Sequence, residues 1–354
     1  MTFPGASAFA ALSRRLRTLI VAGIVFFVLL VLSMTLSVPY VILSPGPTYN
    51  TLGTDSRGST IIVIKGKRPN KTTGNLNMTT VGVSTPKLSV FDALSAWLQS
   101  DEVVVPRSSI FPPGQSEDEV NKQNAKDFTT SQDDAIAAAS CELGYPRRFG
   151  VITVSGTGAA KGKLQPDDLI STVDGKPANS VTLLTAVLSK DAAGTTVSVG
   201  IIRKGAPLTV SITLGPPPKG RTGGAIGIAL GTLCQLPFTV DLGLGNQIGG
   251  PSAGLMFALG IMDKVGTKDL TGGRFIAGTG TIDSAGSVGP IGGIQLKMIA
   301  ARRAGATVFL APAGNCGDVK GATPGGLQVV KVDTLHHAVQ DLEAIAKNQS
   351  VPHC

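Results

Sequence analysis

The sequence predicts a multidomain fold of mixed α+β and α/β character, hung on an N-terminal transmembrane helix. Three features of its 354 residues point there. Residues 18–38 are uncharged and mostly apolar, long enough to cross a bilayer as a helix. Residues 147–214 carry β-branched runs separated by turn signals, and Asp174-Gly175 is a strong hairpin signal. Beyond residue 224, Gly-rich turns alternate with apolar segments of helical spacing.

The anchor comes first. Arg14, Arg15 and Arg17 precede the apolar run, and no acidic residue occurs before Asp55. The excess of positive charge keeps residues 1–17 cytoplasmic, makes 18–38 the span and sends the rest across the membrane. A cleaved signal peptide fits less well, because its apolar core is shorter and an Ala-x-Ala site is missing. Residues 39–49, rich in Pro and Gly, read as a connector leaving the membrane.

Residues 39–146 then form an extracytoplasmic α/β region. Residues 59–65 and 78–83 read as strands, 88–98 as a helix and 106–114 as a loop. Ser116-x-x-Glu119 and Ser131-x-x-Asp134 both have the capping-box pattern, and each is expected to start a helix.

Composition narrows the function. The net charge is +8, but charged residues are only 15% and aromatics 5%, with no Lys/Arg cluster of the kind nucleic-acid binding needs. No Gly-x-x-x-x-Gly-Lys-Ser/Thr occurs, and Gly156-Thr-Gly and Gly278-Thr-Gly are too short to hold a nucleotide, so no nucleotide or other cofactor is expected. Neither Cys-x-x-Cys nor His-Glu-x-x-His is present, so no metal is expected. Cys141, Cys234, Cys316 and Cys354 suit an exported domain where disulfides persist, with three pairings open.

Ser252 and Lys297 carry the chemistry. Ser252 lies in Gly249-Gly-Pro-Ser-Ala-Gly254, where Pro251 favours a helix start and places Ser252 in the first turn, beside free backbone N–H groups. The Gly249, Gly250 and Pro251 loop is the expected oxyanion and substrate loop. A serine needs a base, and all three histidines fall downstream of both motifs, at His336, His337 and His353. A lysine serves if burial strips its charge, and Lys297 has Ile294, Leu296, Met298, Ile299, Ala300 and Ala301 around it. Gly293 and Gly305 bracket its helical stretch.

The segment 224–342 resembles the proteolytic domain of Lon-type serine proteases. The resemblance rests on Gly249-Gly-Pro-Ser-Ala-Gly254, Gly278-Thr-Gly-Thr-Ile-Asp283, Gly289-Pro-Ile-Gly-Gly-Ile-Gln-Leu-Lys297, Arg302-Arg-Ala-Gly-Ala306 and Pro312-x-x-Asn315, in that order. It implies Ser252 as nucleophile, Lys297 as general base and Thr279 as the threonine that hydrogen-bonds the lysine. Two departures concern coupling to an ATPase more than the dyad: Gly280-Thr281 stands where Gly-Glu is usual, and Gln295-Leu296 where Lys-Glu is usual. Cys316 and Cys354 flank the last of these elements, which favours their pairing.

Residues 147–215 resemble a PDZ domain of the bacterial protease type, through Leu164-Gln-Pro-Asp-Asp-Leu-Ile-Ser-Thr-Val-Asp-Gly175. Asp167 replaces the usual Gly, which Asp tolerates in the left-handed conformation. The resemblance implies peptide capture by strand addition, with the N–H groups of Phe149, Gly150, Val151 and Ile152 receiving the peptide and Leu184 and Val187 lining the groove. Residues 216–223 read as a linker and 343–354 as a tail. The whole order is similar to the membrane-anchored PDZ-Lon proteases of bacteria, and of actinobacteria in particular. It implies an ATP-independent serine endopeptidase that cleaves unfolded or tail-exposed extracytoplasmic proteins.

Two competitors differ in kind. Gly250-Pro-Ser-Ala-Gly254 also fits the nucleophile elbow of α/β-hydrolases, with Asp318 or Asp333 followed by His336 or His337. A catalytically inert PDZ adaptor or holdase is the other.

Overall fold

The computed structural model describes residues 13–84, 87–217, 220, 222–234, 236–244 and 248–354. Residues 1–12 of the expected cytoplasmic segment, and 218, 219 and 221 of the expected linker, lie outside the described residues. The chain opens with helix α1 (Arg14–Thr35), strands β1 (Ser37–Val38), β2 (Tyr40–Asn50), β3 (Ile62–Lys65), β4 (Asn75–Val83) and β5 (Leu88–Ser89), helix α2 (Val90–Trp97), strand β6 (Val103–Pro106) and helix α3 (Glu117–Glu142). A β-rich stretch follows: β7 (Arg147–Val154), β8 (Leu169–Val173), β9 (Lys176–Pro177), helix α4 (Val181–Leu188), β10 (Thr196–Arg203), β11 (Ala206–Thr213) and β12 (Ile228–Cys234). The remainder holds β13 (Thr239–Leu242), α5 (Gly254–Val265), β14 (Phe275–Gly278), β15 (Thr281–Ile282), β16 (Val288–Gly289) and α6 (Ile294–Ala304). It closes with β17 (Val308–Pro312), α7 (Cys316–Val319), β18 (Gln328–Val332) and α8 (Leu335–Ala346).

The chain divides into two compact units, Met1–Pro47 with Thr80–Lys122, and Thr48–Thr79 with Gln123–Cys354. In the first, α1 is capped by the Ser13 hydroxyl and has no buried residue. Among the described residues it is the one helix long and apolar enough to cross a membrane. The expected connector is instead strand: β2 pairs antiparallel with β6 from Tyr40 to Leu43. Pro45 and Pro47 fall beyond that paired stretch, where a missing N–H costs this ladder nothing. The Ser116–Glu119 capping box forms, with Ser116 N–H donating to Glu119 Oε2 at 2.7 Å and Glu119 N–H to Ser116 Oγ at 3.2 Å.

The second unit holds two sheets of several strands. One runs β11-β10-β8-β7-β12, with β9 on β8. Asp174 and Gly175 take φ of 47° and 74° in the tight β8–β9 turn, and Asp167 takes the left-handed φ of 69° expected of it. Val151, Ile170, Val199, Ile201, Leu184 and Leu188 build its core. Ala225 N–H donates to Gly215 O at 2.9 Å and the chain returns as β12, which lies antiparallel along the whole of β7. Residues 228–234 therefore belong to this sheet and not to the C-terminal domain.

In the other sheet β4, β14, β17 and β18 lie parallel and adjacent. Its core joins Leu52, Ile61, Ile62, Leu76 and Met78 to Phe128, Ala135 and Ala138 of α3 and to Leu255, Phe257 and Leu259 of α5. The Phe128 and Phe257 rings meet edge to face, 5.8 Å apart. The C-terminal domain expected at 224–342 is thus built from chain on both sides of the β7–β12 sheet, which is inserted into it. The reason is physical: the apolar faces of β3, β4 and α3 find their buried partners on α5 and β14, and an amphipathic element stays where its face is covered.

Candidate active site

The site forms where α5, α6 and β4 converge. Lys297 sits one turn into α6, which starts from Gly293 in the left-handed conformation, φ 69°. Its Nζ lies 2.7 Å from Ser252 Oγ, 3.0 Å from Thr279 Oγ1 and 3.1 Å from the Thr79 carbonyl oxygen. Thr279 Oγ1 in turn donates to Ser252 O at 2.9 Å. Lys297 is 3% exposed and Thr279 fully buried. Burial disfavours the ammonium and lowers the Lys297 pKa to about 8. Among the described residues no carboxylate pairs with it, and a buried unpaired cation is costly, so the neutral amine is reached at a lower pH here than in water.

The loop bearing Ser252 is held from beneath by α3. Asn124 O accepts from Gly250 N–H at 2.8 Å, and the Ser131 hydroxyl donates to Pro251 O at 2.9 Å. Ser131 was expected to open a helix with Asp134. It lies inside the single 26-residue helix α3, because its hydroxyl is committed to this loop. The sequence marks Ser131 only as a helix cap and does not mark Asn124, and no local motif ties either one to the serine loop.

Two glycines of the loop have specific reasons. Gly250 has φ 83°, a turn conformation that strains other residues. A Cβ on Gly254 would come within 2.7 Å of both Ile282 Cγ2 and Ser131 Oγ. Gly249 lies against Asn124. The expected oxyanion role for this loop needs correction. Gly250 N–H is spent on Asn124, and Pro251 has no N–H to offer. Helix α5 starts at Gly254, so Ser252 lies in the turn before it and not in its first turn. Its dipole end still faces the serine.

Lys297 is further fixed by the strand pairs around it. Thr279 N–H donates to Leu310 O at 3.2 Å and Gly280 N–H to Ser252 O at 2.8 Å. Asn315 clamps the loop entering α6, its Oδ1 accepting from Ile291 N–H and its Nδ2 donating to Ile291 O, both at 2.9 Å. Cys316, next to it, is bonded to Cys354, and Cys141 to Cys234.

The hydrolase arrangement does not form. Asp333 and His337 do meet, Oδ1 to Nδ1 at 2.6 Å, but on the exposed side of α8. The side chain bonded to Ser252 Oγ is Lys297.

The expected peptide groove is displaced as well. Residues 149–151 of β7 pair with β12, and Gly150 also pairs with Leu169 of β8, so β7 is an interior strand with no edge to offer. Leu184 is 2% exposed and part of the core; Val187 packs against the same core. Phe149 packs there too, Val151 is fully buried, and Ile152 points outward. The strands at the sheet's two ends are β11 and β12.

Comparison with known proteins gives two domain matches. Residues 122–214 match the PDZ domain, and residues 247–348 match the Lon protease (S16) C-terminal proteolytic domain. A curated relative, the periplasmic pH-dependent serine endoprotease DegQ of Escherichia coli K12, is 39% identical over 59 residues, 17% of this chain and 13% of its own. The chain thus spans about an eighth of the length of that relative. Among solved structures, the PDZ domain of an SdrC-like protein of Listeria monocytogenes is 27% identical, covering 23% of this chain and 85% of that one, with a TM-score of 0.22. The corresponding Listeria innocua domain is 28% identical, covering 23% and 92%, also with a TM-score of 0.22. At those scores the solved structures carry no argument, and the assignment rests on the family models. Together these models show a PDZ domain and the proteolytic domain of a Lon-type (S16) serine protease in one chain.

Proposed function

We propose that the protein is an ATP-independent, membrane-anchored endopeptidase in which Ser252 is the nucleophile and Lys297 the general base. The observation that carries this is the hydrogen-bond arithmetic at Lys297 Nζ. A neutral amine has two N–H donors and one lone pair. The Thr79 carbonyl oxygen can only accept, and Thr279 Oγ1 spends its proton on Ser252 O, so both take an N–H from Lys297. Nζ also lies 2.7 Å from Ser252 Oγ; once the amine is neutral this third direction is its lone pair, the acceptor for the Ser252 Oγ–H.

In the reaction Nζ takes the Oγ proton as Oγ bonds to the peptide carbonyl carbon. The oxyanion forms near the start of α5, whose N–H groups and dipole stabilise it. The ammonium then returns the proton to the leaving amine, and the acyl-serine ester remains. Water, deprotonated by Nζ, hydrolyses the ester and regenerates Ser252.

The PDZ domain supplies peptide capture. β7 is interior, so the strand offered to an incoming segment is β12, the end strand that lies beside it. The absence of a nucleotide motif from the sequence supports substrates that are unfolded or tail-exposed. Helix α1, with Arg14, Arg15 and Arg17 at its start, supports a single-pass anchor with a cytoplasmic N-terminus. The two disulfides support an extracytoplasmic bulk.

The test is casein cleavage by the full chain in nanodiscs, without ATP. Cleavage lost in both Ser252→Ala and Lys297→Ala supports the reading. Parental rates in either variant overturn the dyad, and no cleavage by the folded parent favours the adaptor.

A further inference from the structure

The membrane-proximal unit has an apolar face that stays exposed among the described residues. Helix α2 starts where α1 ends: Val90 N–H donates to Leu36 O at 3.1 Å, and Ser37 and Val38 pair with Ser89 and Leu88. A capping box of Ser89 and Asp92 fixes its first turn. Asp92, the one charged residue of α2, is consumed there, accepting from Ser89 N–H at 2.9 Å. The buried side of the helix is marked by Ala96. Phe91, Leu94 and Leu98 follow at spacings of three and four, with Trp97 beside them, and form one stripe. These four are 45%, 54%, 80% and 73% exposed for Phe91, Leu94, Leu98 and Trp97.

Such a stripe is too apolar for water and directly continuous with the end of the spanning helix. At about 1.5 Å per residue α2 is far too short to span a bilayer, so it can only lie along its surface. Trp is the side chain best suited to the headgroup boundary. We propose that α2 lies in the outer membrane interface beside α1, with Phe91, Leu94, Trp97 and Leu98 sunk among the lipids. This rests on reading α1 as a membrane anchor. Its consequence is that the unit is held to the bilayer at two points, by α1 and by α2.

The chain contains a single Trp, so Trp97 reports on its own position. The full chain is reconstituted into phosphatidylcholine/phosphatidylglycerol vesicles, with and without brominated phosphatidylcholine, and floated on a density gradient. Trp97 fluorescence is then read against bromolipid and against aqueous iodide. The expected result is flotation, loss of most Trp97 emission to bromolipid, and little loss to iodide. Flotation with quenching by iodide and not by bromolipid overturns the placement of α2 and leaves the anchor standing. Flotation with protection from both quenchers means that a protein surface covers the face, which also overturns it. Failure to float overturns the anchor, and the inference with it.

Discussion

The carbonyl oxygen of Thr79 accepts a hydrogen bond from Lys297 Nζ at 3.1 Å across 218 residues of sequence. Strand β4, which carries Thr79, precedes the PDZ sheet, and α6 follows it. Lys297 is therefore oriented by chain from both sides of the insertion. Were Thr79 O absent, one N–H would lack its acceptor and the lone pair would lose its fixed direction toward Ser252.

Removing either member of the proposed dyad should lower kcat by at least about a thousandfold, because nucleophile and base act as one unit. The double variant Ser252→Ala/Lys297→Ala should be no worse than the singles. Casein hydrolysis by singles and double, with circular dichroism to confirm folding, checks this.

Activity should rise with pH. Burial holds the Lys297 ammonium at about 8, below its ordinary 10.5, and only the amine is a base. The kcat/KM profile should climb to about pH 8 and level off above it. The sign for stability follows from proton counts. Between about 8 and 10.5 the unfolded chain binds the Lys297 proton and the folded chain does not, so this group's contribution to stability rises with pH there. A flat profile from pH 6 to 9 would sink the assignment of Lys297 as base.

Thr279→Val should cut kcat about 10- to 100-fold, since both the Lys297 acceptor and the donor to Ser252 O disappear. The ammonium loses one acceptor, so the acid limb should move to lower pH. Thr279→Ser keeps the hydroxyl and should restore both rate and profile. A purely structural role would lower stability without moving the limb.

Ser131→Ala leaves Pro251 O without its donor. The expected cost is about 1 kcal/mol of stability and a fall in kcat on the order of tenfold, through the displaced serine loop. Denaturant melts alongside kcat separate the two effects.

Replacing both Cys141 and Cys234 by Ser opens a link across 93 residues. The loss should be about 2–5 kcal/mol, read as a lower midpoint in urea. The tie joins β12 to α3, whose Asn124 and Ser131 hold the serine loop. Cleavage should therefore fall as well; unchanged kcat would show that the loop does not need it.

Much of this protein was legible locally. The apolar helix α1, the Asp174-Gly175 turn, the left-handed Asp167 and the Ser116 cap each depend on neighbours within a few residues, and local preference settles such features. Helix α6 was legible for the same reason, with Gly293 and Gly305 at its ends. Ser131 misled because a capping pattern describes what a side chain can do, and a partner 120 residues away claimed its hydroxyl. The β7 groove misled because an edge strand is defined by what lies next to it, and β12 comes from after β11 in sequence.

Residue types alone set which groups are available: a serine with no histidine upstream of it, a lysine in an apolar helix, four cysteines and one long apolar segment. Long-range packing brings Lys297 to Ser252, places Thr79 O and Thr279 Oγ1 as acceptors for its Nζ, and inserts the PDZ sheet into the proteolytic domain. Chemistry resides in residue types. Distances and burial come from faces covering one another, and no local window of sequence contains both partners.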